Sequence, residues 1–316
     1  MTTLAAAAIV LNWRRSAETL ACLDSLSGAV TVPSQIIVVD NASGDGSAEA
    51  IRRGNPDVAV LETSSNLGYA GGNNFGVRWA FEHGFEAVLV LNNDIRVEPE
   101  FLSPLLQALY ASPKTGAATP LVIADDHPDE IWALGLTVDH KSAGVRRRLS
   151  GNRISSLTEL TPVEVNAASG SAMLVTRDVV DDVGLLDEKY FLYYEEVDWC
   201  MRMRRAGYRI MAVPSSVVRH RVSSTLGADS PIIDYYMLRN QMRLVQRHWT
   251  GLRRTTLLSA VVARNLATIA AYTIKPHGGR RIAHRNARLL AIRDAALGRW
   301  GPMGDDVAAA CGVPRT

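Results

Sequence analysis

Short apolar runs that stop at polar side chains recur along the first hundred residues. Leu4 to Leu11 carries no charge and ends on Asn12-Trp13, and Ser16 to Leu26 then places Leu20, Leu23 and Leu26 at helical spacing. The pair predicts a strand followed by a helix. Gln35 to Val39, rich in β-branched residues, closes on Asp40-Asn41-Ala42-Ser43-Gly44-Asp45-Gly46 and leads into a helix over Ser47 to Arg53. A third strand is expected at Val58 to Leu61. The segment Asn66-Leu67-Gly68-Tyr69-Ala70-Gly71-Gly72-Asn73-Asn74 is expected to be a loop that opens a helix reaching His83, and a fourth strand, Ala87 to Leu91, ends in Asn92-Asn93-Asp94. Strands alternating with helices predict an α/β fold with a mostly parallel sheet, in which ligands bind beyond the carboxyl ends of the strands. Asn12, Asp40, Asn66 and Asp94 all fall there, so one site is expected rather than four.

Further along, Pro99 to Tyr110 has helical spacing. Ala124 to Thr161 mixes Gly, His, Asp and the run Arg146-Arg147-Arg148 without a period, and is expected to be a variable insertion. Order returns at Val163 to Thr176, followed by a helix at Arg177 to Val183 and a segment, Asp187 to Tyr208, where acids and aromatics crowd together. Beyond His220 the pattern is helical and basic. No internal repeat or low-complexity tract interrupts this order.

Composition sharpens the picture at two points. With 47% apolar and 21% charged residues over 316 positions, the chain is an ordinary globular one, which excludes wholesale disorder and collagen-like repeats. Cys22, Cys200 and Cys311 are too few and too scattered for a disulfide framework or a cysteine zinc site, and fit a reducing compartment. Met1 to Val10 is apolar but lacks a basic flank and is followed by Trp13-Arg14-Arg15, so no signal peptide is expected. The net charge of +2 hides an asymmetry: Met237 to Trp300 holds thirteen basic residues against Asp294 alone, a local charge of +12, leaving −10 for the remainder. An acidic body with a basic tail points to an anionic partner surface. The apolar stretch Thr255 to Tyr272 is broken by Arg264-Asn265 and is expected to lie on a membrane rather than cross it. Nucleic acid is not expected as a partner, because the basic segment carries no recognised reading motif.

Three clusters could carry chemistry. Gly44-Asp45-Gly46-Ser47-Ala48-Glu49 suggests a dinucleotide loop, but Glu49 stands where the third glycine belongs, and Asp40 and Asp45 would face a pyrophosphate. No P-loop or GxSxG elbow occurs. Asp40 remains as a strand-end carboxylate able to accept hydrogen bonds from a base or ribose, or else to organise its own turn. Asp94 could hold a hard divalent cation with amide oxygens and water, or simply end a strand in a polar loop. In Glu195-Glu196-Val197-Asp198-Trp199-Cys200-Met201-Arg202, helical spacing aligns Glu195, Asp198 and Arg202 and turns Glu196 elsewhere. Glu196 then suits a general base facing a cleft and the Asp198–Arg202 pair a clasp; the alternative is a surface lattice of charges over packed aromatics. Trp199 is expected in the core.

Taken together and in this order, Val38-Val39-Asp40-Asn41-Ala42-Ser43-Gly44-Asp45-Gly46-Ser47, Asn66 to Asn74, Leu91-Asn92-Asn93-Asp94 and Tyr193-Tyr194-Glu195-Glu196-Val197-Asp198 with Arg202 and Gly207-Tyr208 are far more specific than any one alone. Over residues 5 to 225 the chain resembles the family 2 glycosyltransferases of the GT-A fold, and within them the bacterial rhamnosyltransferase-like branch that builds cell-surface glycans. The resemblance implies that Asp40 contacts the nucleotide base with Asn12 nearby, that Asn66, Gly68, Gly72 and Asn74 shape the nucleotide–ribose side with Asn93 beside them, and that Asp94 and His220 hold Mg²⁺ or Mn²⁺. Family members often carry more acids where this chain has Asn92 and Asn93. Glu196 falls at the general base, where Asp is common, with Asp198 close by in the catalytic motif. The implied reaction is an inverting displacement from a nucleotide-diphosphate sugar, dTDP-rhamnose first and UDP-hexoses next, onto a lipid-linked or glycan acceptor; a soluble natural-product acceptor, or a nucleotide-sugar-binding relative without catalysis, is the alternative.

Asn166 to Ser171 is expected to line the cleft or form a tight turn. The domain expectation is a GT-A domain over 1–226, with a nucleotide half at 1–95 and an acceptor half at 96–226, and a basic helical extension over 227–316. That extension would make peripheral contact with the inner face of the cytoplasmic membrane or form a homo-oligomer interface.

Overall fold

Every expected element of the first ninety residues forms. In the computed structural model, which describes residues 6–221, 229–274 and 278–312, β1 (Ala6–Asn12), α1 (Ser16–Ser27), β2 (Gln35–Asp40), α2 (Ser47–Gly54), β3 (Ala59–Glu62), α3 (Gly68–Glu82) and β4 (Ala87–Asn92) alternate along the chain. Residues 1–5 and the expected boundary at 226 lie outside the described residues. The glycine-rich segment differs from expectation. Gly68 to Asn74 forms the first two turns of α3 instead of a loop. The reason is packing: a Cβ on Gly76 would lie 2.6 Å from Cγ2 of Ile9 and 3.0 Å from Cγ2 of Val39, so glycine lets the helix approach β1 and β2.

Then follow β5 (Ile95–Val97), α4 (Leu102–Tyr110), β6 (Thr115–Ala124), β7 (Ile131–Ala133), β8 (Leu136–Asp139), β9 (Gly144–Arg147), β10 (Val163–Glu164), β11 (Ala172–Thr176), α5 (Arg177–Val183), α6 (Glu195–Arg205) and β12 (Arg209–His220). The stretch expected to be an insertion without period therefore contains short strands, and the two longest strands, β6 and β12, carry no periodic signal. All ten residues of β6 are buried, so no alternation marks it, and Pro120 and Gly116 disguise it further. In β12 the register shifts between Val213 and Val217, around Pro214-Ser215-Ser216, which interrupts the period.

The chain divides into two compact units. One comprises Met1–Thr137, Arg146–Leu186 and Glu196–Val222; the other comprises Val138–Val145, Asp187–Glu195 and Ser223–Thr316. The first is built on a ten-stranded sheet in the order β10-β12-β6-β11-β4-β1-β2-β3, with β5 beside β12 and β7 beside β6. β3, β2, β1 and β4 run parallel, β11 enters antiparallel between β4 and β6, and β6 and β12 are again parallel. Ala8 and Val10 of β1 face Cys22, Leu23 and Leu26 of α1, while Ile9 faces α3, so both faces of the sheet are covered.

The second unit is helical: α7 (Pro231–His248), α8 (Gly251–Ile274), α9 (Gly278–Ala296) and α10 (Asp305–Cys311). Its core joins Tyr235, Tyr236 and Met242 to Ala287, Ala291 and Val307. Arg239 is fully buried there, stacked near the rings of Tyr235 and Tyr236, and donates to the carbonyl of Gly301 at 2.7 Å. The neighbouring Asn240 amide donates to the carbonyls of Tyr190, Leu192 and Tyr193 at 2.8–2.9 Å. That clasp grips a strained stretch: Phe191, Tyr193 and Tyr194 have φ of 65°, 69° and 75°, a conformation that costs a bulky side chain about 1–3 kcal/mol.

The Gly76 approach sets a stability test. Helix propensity favours alanine over glycine by about 1 kcal/mol, whereas overpacking a core costs about 1–3 kcal/mol. Gly76→Val, β-branched and larger still, is expected to lower the urea midpoint by a shift equivalent to about 2 kcal/mol or more, measured by circular dichroism; an unchanged midpoint would show that β1 and α3 separate freely.

Candidate active site at the strand ends

The polar residues that close the parallel strands form one hydrogen-bonded chain. Asn93, just past β4, donates through Nδ2 to Oγ1 of Thr19 at 3.0 Å; Thr19 donates to Oδ1 of Asn12 at 2.7 Å; and Asn12 donates through Nδ2 to Oδ1 of Asp40 at 2.6 Å. Ser43 completes the last link, its hydroxyl donating to Oδ1 of Asp40 at 2.6 Å and its amide to Oδ2 at 3.0 Å. Asp40 is 2% exposed, and its bonds to Asn12 and Ser43 hold the β2–α2 turn. Arg14 and Ala42, in the loops after β1 and β2, are both left-handed at φ 55°. Strain of this kind concentrates where loops are shaped for function.

A second set of bonds shapes the entry to α3. Asn41 donates to Oδ1 of Asn66 at 3.0 Å and to the Gly68 carbonyl at 3.1 Å, and accepts from the Leu67 amide at 2.9 Å. Asn66 also accepts from the amide of Gly68, whose φ of 70° starts the helix turn. Gly72 lies against β1, where a Cβ would meet Cδ1 of Leu11 at 2.4 Å. Asn74 is buried, and both ends of its amide pair with the backbone of Leu186, at 2.9 and 3.1 Å. Gly72 and Asn74 therefore fix the position of α3.

At the other end of the sheet, β5 pairs with β12 so that Ile95 faces His220, which brings Nε2 of His220 to 3.2 Å from Oδ1 of Asp94. The residues are 126 positions apart in sequence and both are largely buried. Trp132 of β7 meets the His220 ring edge-on at 5.4 Å between centroids. Ser171 accepts from the amide of Asn92 at 3.0 Å, which ties the 166–171 loop to the tip of β4. Within that loop Gly170 lies against Glu196: a Cβ there would touch Cγ of the glutamate at 3.4 Å. The hydroxyl of Tyr69 donates to the Gly170 carbonyl, so α3, the small-residue loop and Glu196 come together.

The rest of the acidic helix is structural. Asp198 is fully buried and accepts from Nε of Arg202 at 2.8 Å, while the same guanidinium donates to the carbonyls of Val183 and Leu185. Trp199 is also fully buried and donates to the Gly184 carbonyl. The pair clasps α6 against the turn after α5, which leaves half-buried Glu196 as the carboxylate of this helix beside the small-residue loop. Thiols take no part: burial pushes Cys22 and Cys200 up to about 12, so both stay protonated.

Residues 8–184 match the family model Glycosyl transferase family 2. The chain belongs to this family. The N-acetylglucosaminyl-diphospho-decaprenol L-rhamnosyltransferase of Mycobacterium tuberculosis is 29% identical over 265 residues, covering 77% of this chain and 86% of that protein. The dTDP-rhamnosyl transferase RfbF of Shigella flexneri is 24% identical over 200 residues, covering 60% and 64%. Among solved structures, the mannosyltransferase PcManGT from Pyrobaculum calidifontis, in complex with GDP-Man and Mn²⁺, superposes with a TM-score of 0.57 at 16% identity, covering 93% of this chain and 88% of that one. The fold is thus the GT-A fold expected from the motifs, and the chain is a glycosyltransferase that takes its sugar from a nucleotide donor.

Asp94 and His220 could contribute two ligands to a divalent cation. Two ligands on adjacent corners of an octahedral ion with bonds of roughly 2.1 Å are about 3 Å apart, and the 3.2 Å between Asp94 and His220 fits that spacing. Among the described residues no group of three His, Cys, Asp or Glu gathers, so oxygens from substrate and water would complete the shell. None of Thr19, Asn41, Ser43, Tyr69 and Trp132 was marked as a site residue by the sequence; Asn41, Ser43 and Tyr69 sit inside recognised motifs, while Thr19 and Trp132 carry no local signal.

The hydrogen-bonded chain makes Thr19 the test of how the transferase's site is built. Thr19→Val keeps the shape but leaves Asn12 Oδ1 and Asn93 Nδ2 unpaired, and is expected to cost about 1–3 kcal/mol by urea unfolding together with weaker nucleotide binding; Thr19→Ser should restore both. Equal stability of the valine variant would dissolve the chain as a structural unit.

Proposed function

We propose that this transferase is an inverting, cation-dependent rhamnosyltransferase that takes rhamnose from dTDP-rhamnose, with UDP-hexoses as the next donor class, and places it on a hydroxyl of a lipid-linked or cell-surface glycan. The names of the two bacterial relatives support the sugar, and the first of them supports a diphospho-polyprenol carrier. The observation that carries the reading is the convergence of Asp94 with His220 at 3.2 Å on the strand-end face of the unit in which Glu196 lies against Gly170.

In this reading the nucleotide lies over the ends of β1, β2 and β4, where Asp40 meets the base, Asn12 and Asn93 hold that edge, and Asn66 and Gly68 border the ribose. Gly72 and Asn74 act by positioning α3. Asp94 and His220 hold the cation. A divalent cation there neutralises charge that develops on the departing diphosphate. Glu196 removes the proton from the acceptor hydroxyl as its oxygen bonds to the anomeric carbon and the bond to the diphosphate breaks on the opposite face, a role that supplies about 10²–10⁴-fold in rate. Asp198 holds Glu196 in place through the α6 clasp.

The proposal assigns residues 1–226 to transfer, with a nucleotide half at 1–95 and an acceptor half at 96–226, and residues 227–316 to a basic helical extension on the inner face of the cytoplasmic membrane. Three features of the second unit support that contact. Leu252 and Ile274 of α8 are 83% and 78% exposed. Arg264 and Asn265, which interrupt the apolar stretch, are engaged within the unit by Gln241 and Arg288. By length and composition alone α8 is also long and apolar enough to cross a membrane.

Two measurements test the reading. In thermal-shift assays dTDP with Mn²⁺ or Mg²⁺ should raise the melting temperature, because a ligand that binds the native state stabilises it by mass action, and EDTA or Asp94→Asn should remove most of the shift; a shift indifferent to both would exclude Asp94 as a ligand. Glu196→Gln should lower turnover by about 10²-fold or more while calorimetry gives an unchanged dTDP affinity. Turnover within a few-fold of the parent would remove Glu196 from proton transfer.

A further inference from the structure

A guanidinium without a carboxylate lies next to the cation-holding pair. Trp132 is carried on β7, which runs antiparallel to the last residues of β6, with Ile131 opposite Ile123. β6 in turn ends beside β12, with Ala124 opposite His220. This double pairing sets the indole against the histidine ring. Arg147, the last residue of β9, then lays its guanidinium over the Trp132 ring at 3.5 Å from the centroid. The strand end is pinned by the Leu134 amide to the Arg148 carbonyl at 3.0 Å, and by the Arg148 amide to the Gly135 carbonyl at 3.0 Å. The guanidinium centre can lie no farther from the His220 ring than the two ring spacings together, about 9 Å.

A stacked guanidinium engages its π face and keeps its in-plane N–H donors available, the edge that pairs with phosphate oxygens in fork geometry. Arg147 forms no ion pair among the described residues, whereas nearby arginines such as Arg96 and Arg219 are matched by Glu18 and Glu98. Contact with the ring also removes water from the charge, which lowers the pKa of Arg147 through desolvation. An anion would relieve that loss.

We infer that Arg147 stacked on Trp132 is a phosphate-binding subsite of the substrate, beside the Asp94–His220 pair. The chemistry is that of a phosphate or diphosphate ester, which either substrate of the proposed reaction could supply: the carrier diphosphate of the acceptor or the diphosphate of the donor. This rests on the transferase reading above, but its binding test does not need turnover.

Full-length protein, Arg147→Ala, Arg147→Lys and Trp132→Leu would be titrated with inorganic pyrophosphate in EDTA by calorimetry, so that the cation pair contributes nothing. The parent should bind, Arg147→Ala should bind on the order of tenfold more weakly, as for loss of a charge-assisted contact, and lysine should rescue only in part because it lacks the planar fork. Unchanged melting temperatures for the Arg147 variants keep folding out of the comparison. Kinetic arms then identify the source. If the carrier supplies the phosphate, Arg147→Ala raises KM about tenfold for an alkyl-diphospho-N-acetylglucosamine but not for the uncharged alkyl glycoside, with kcat unchanged. If the donor supplies it, the affinity for dTDP falls instead and the acceptor KM stays. Loss of neither pyrophosphate, dTDP nor acceptor affinity in Arg147→Ala overturns the subsite. A parent protein that binds no nucleotide in the thermal-shift assay overturns the transferase assignment, a separate result.

Discussion

The strand-end hydrogen-bonded chain from Asn93 through Thr19 and Asn12 to Asp40 is the constraint on which the loops after β1, β2 and β4 depend. It links the ends of β4, β1 and β2 through a residue of α1, so three separate loops acquire one geometry. Each member is a short side chain with a fixed donor or acceptor, and the chain is buried, where an unpaired polar atom is expensive and a paired one specifies a single arrangement. Asp40 closes it, held by the hydroxyl and the amide of Ser43. The strained loop residues Arg14 and Ala42 follow directly from that closure, since the amide of Arg14 donates to the Ser43 hydroxyl.

The first four strands were legible because each is a short apolar run; β1, β2 and β4 stop on Asn12, Asp40 and Asn92, and β3 stops on Glu62, four residues before Asn66. α6 was legible from its i, i+4 charges, and the Asp198–Arg202 pair forms as spacing predicts. What the sequence concealed is long-range. β6 and β12 lie side by side in the sheet, and a strand covered on both faces loses the alternation that announces it. The glycines at 72 and 76 lie in α3, where the distances to Leu11, Ile9 and Val39 show that they let the helix approach the strands, a contact that no local pattern announces. The contacts of Thr19 with Asn93, of Tyr69 with Gly170 and of Trp132 with His220 have no local signature, since the partners are 74, 101 and 88 positions away.

The helical unit shows the same economy in a different form. Arg239 and Asn240 are adjacent, fully buried, and directed at main-chain carbonyls instead of at acids. Carbonyl acceptors suit a clasp on a strained backbone, because they hold the chain itself whatever side chain it bears. Phe191, Tyr193 and Tyr194 would relax out of the left-handed region if released, and the rings of Phe191 and Tyr193, packed in the cluster of Tyr236 and the α7 face, make release costly. Strain of several kcal/mol at one turn therefore coexists with a well-packed core because the polar and apolar contacts restrain the same residues.

The two asparagines before Asp94 gain a physical account from this geometry. Acids at positions 92 and 93 would bring like charges within reach of Asp94, and an acid at 93 would also present an oxygen to the Thr19 hydroxyl in place of the N–H that now donates to it. Thr19 has one proton, already given to Asn12, so it needs a donor from the other side, which an ionised carboxylate cannot be. Asn93 is thus chosen by the hydrogen-bonded chain, and the cost is one fewer negative charge near the proposed cation. His220, which β12 brings to 3.2 Å from Asp94, would give the proposed site a nitrogen donor without adding a negative charge beside it. Acid number and network integrity compete at the tip of β4, and this transferase resolves the competition in favour of the network.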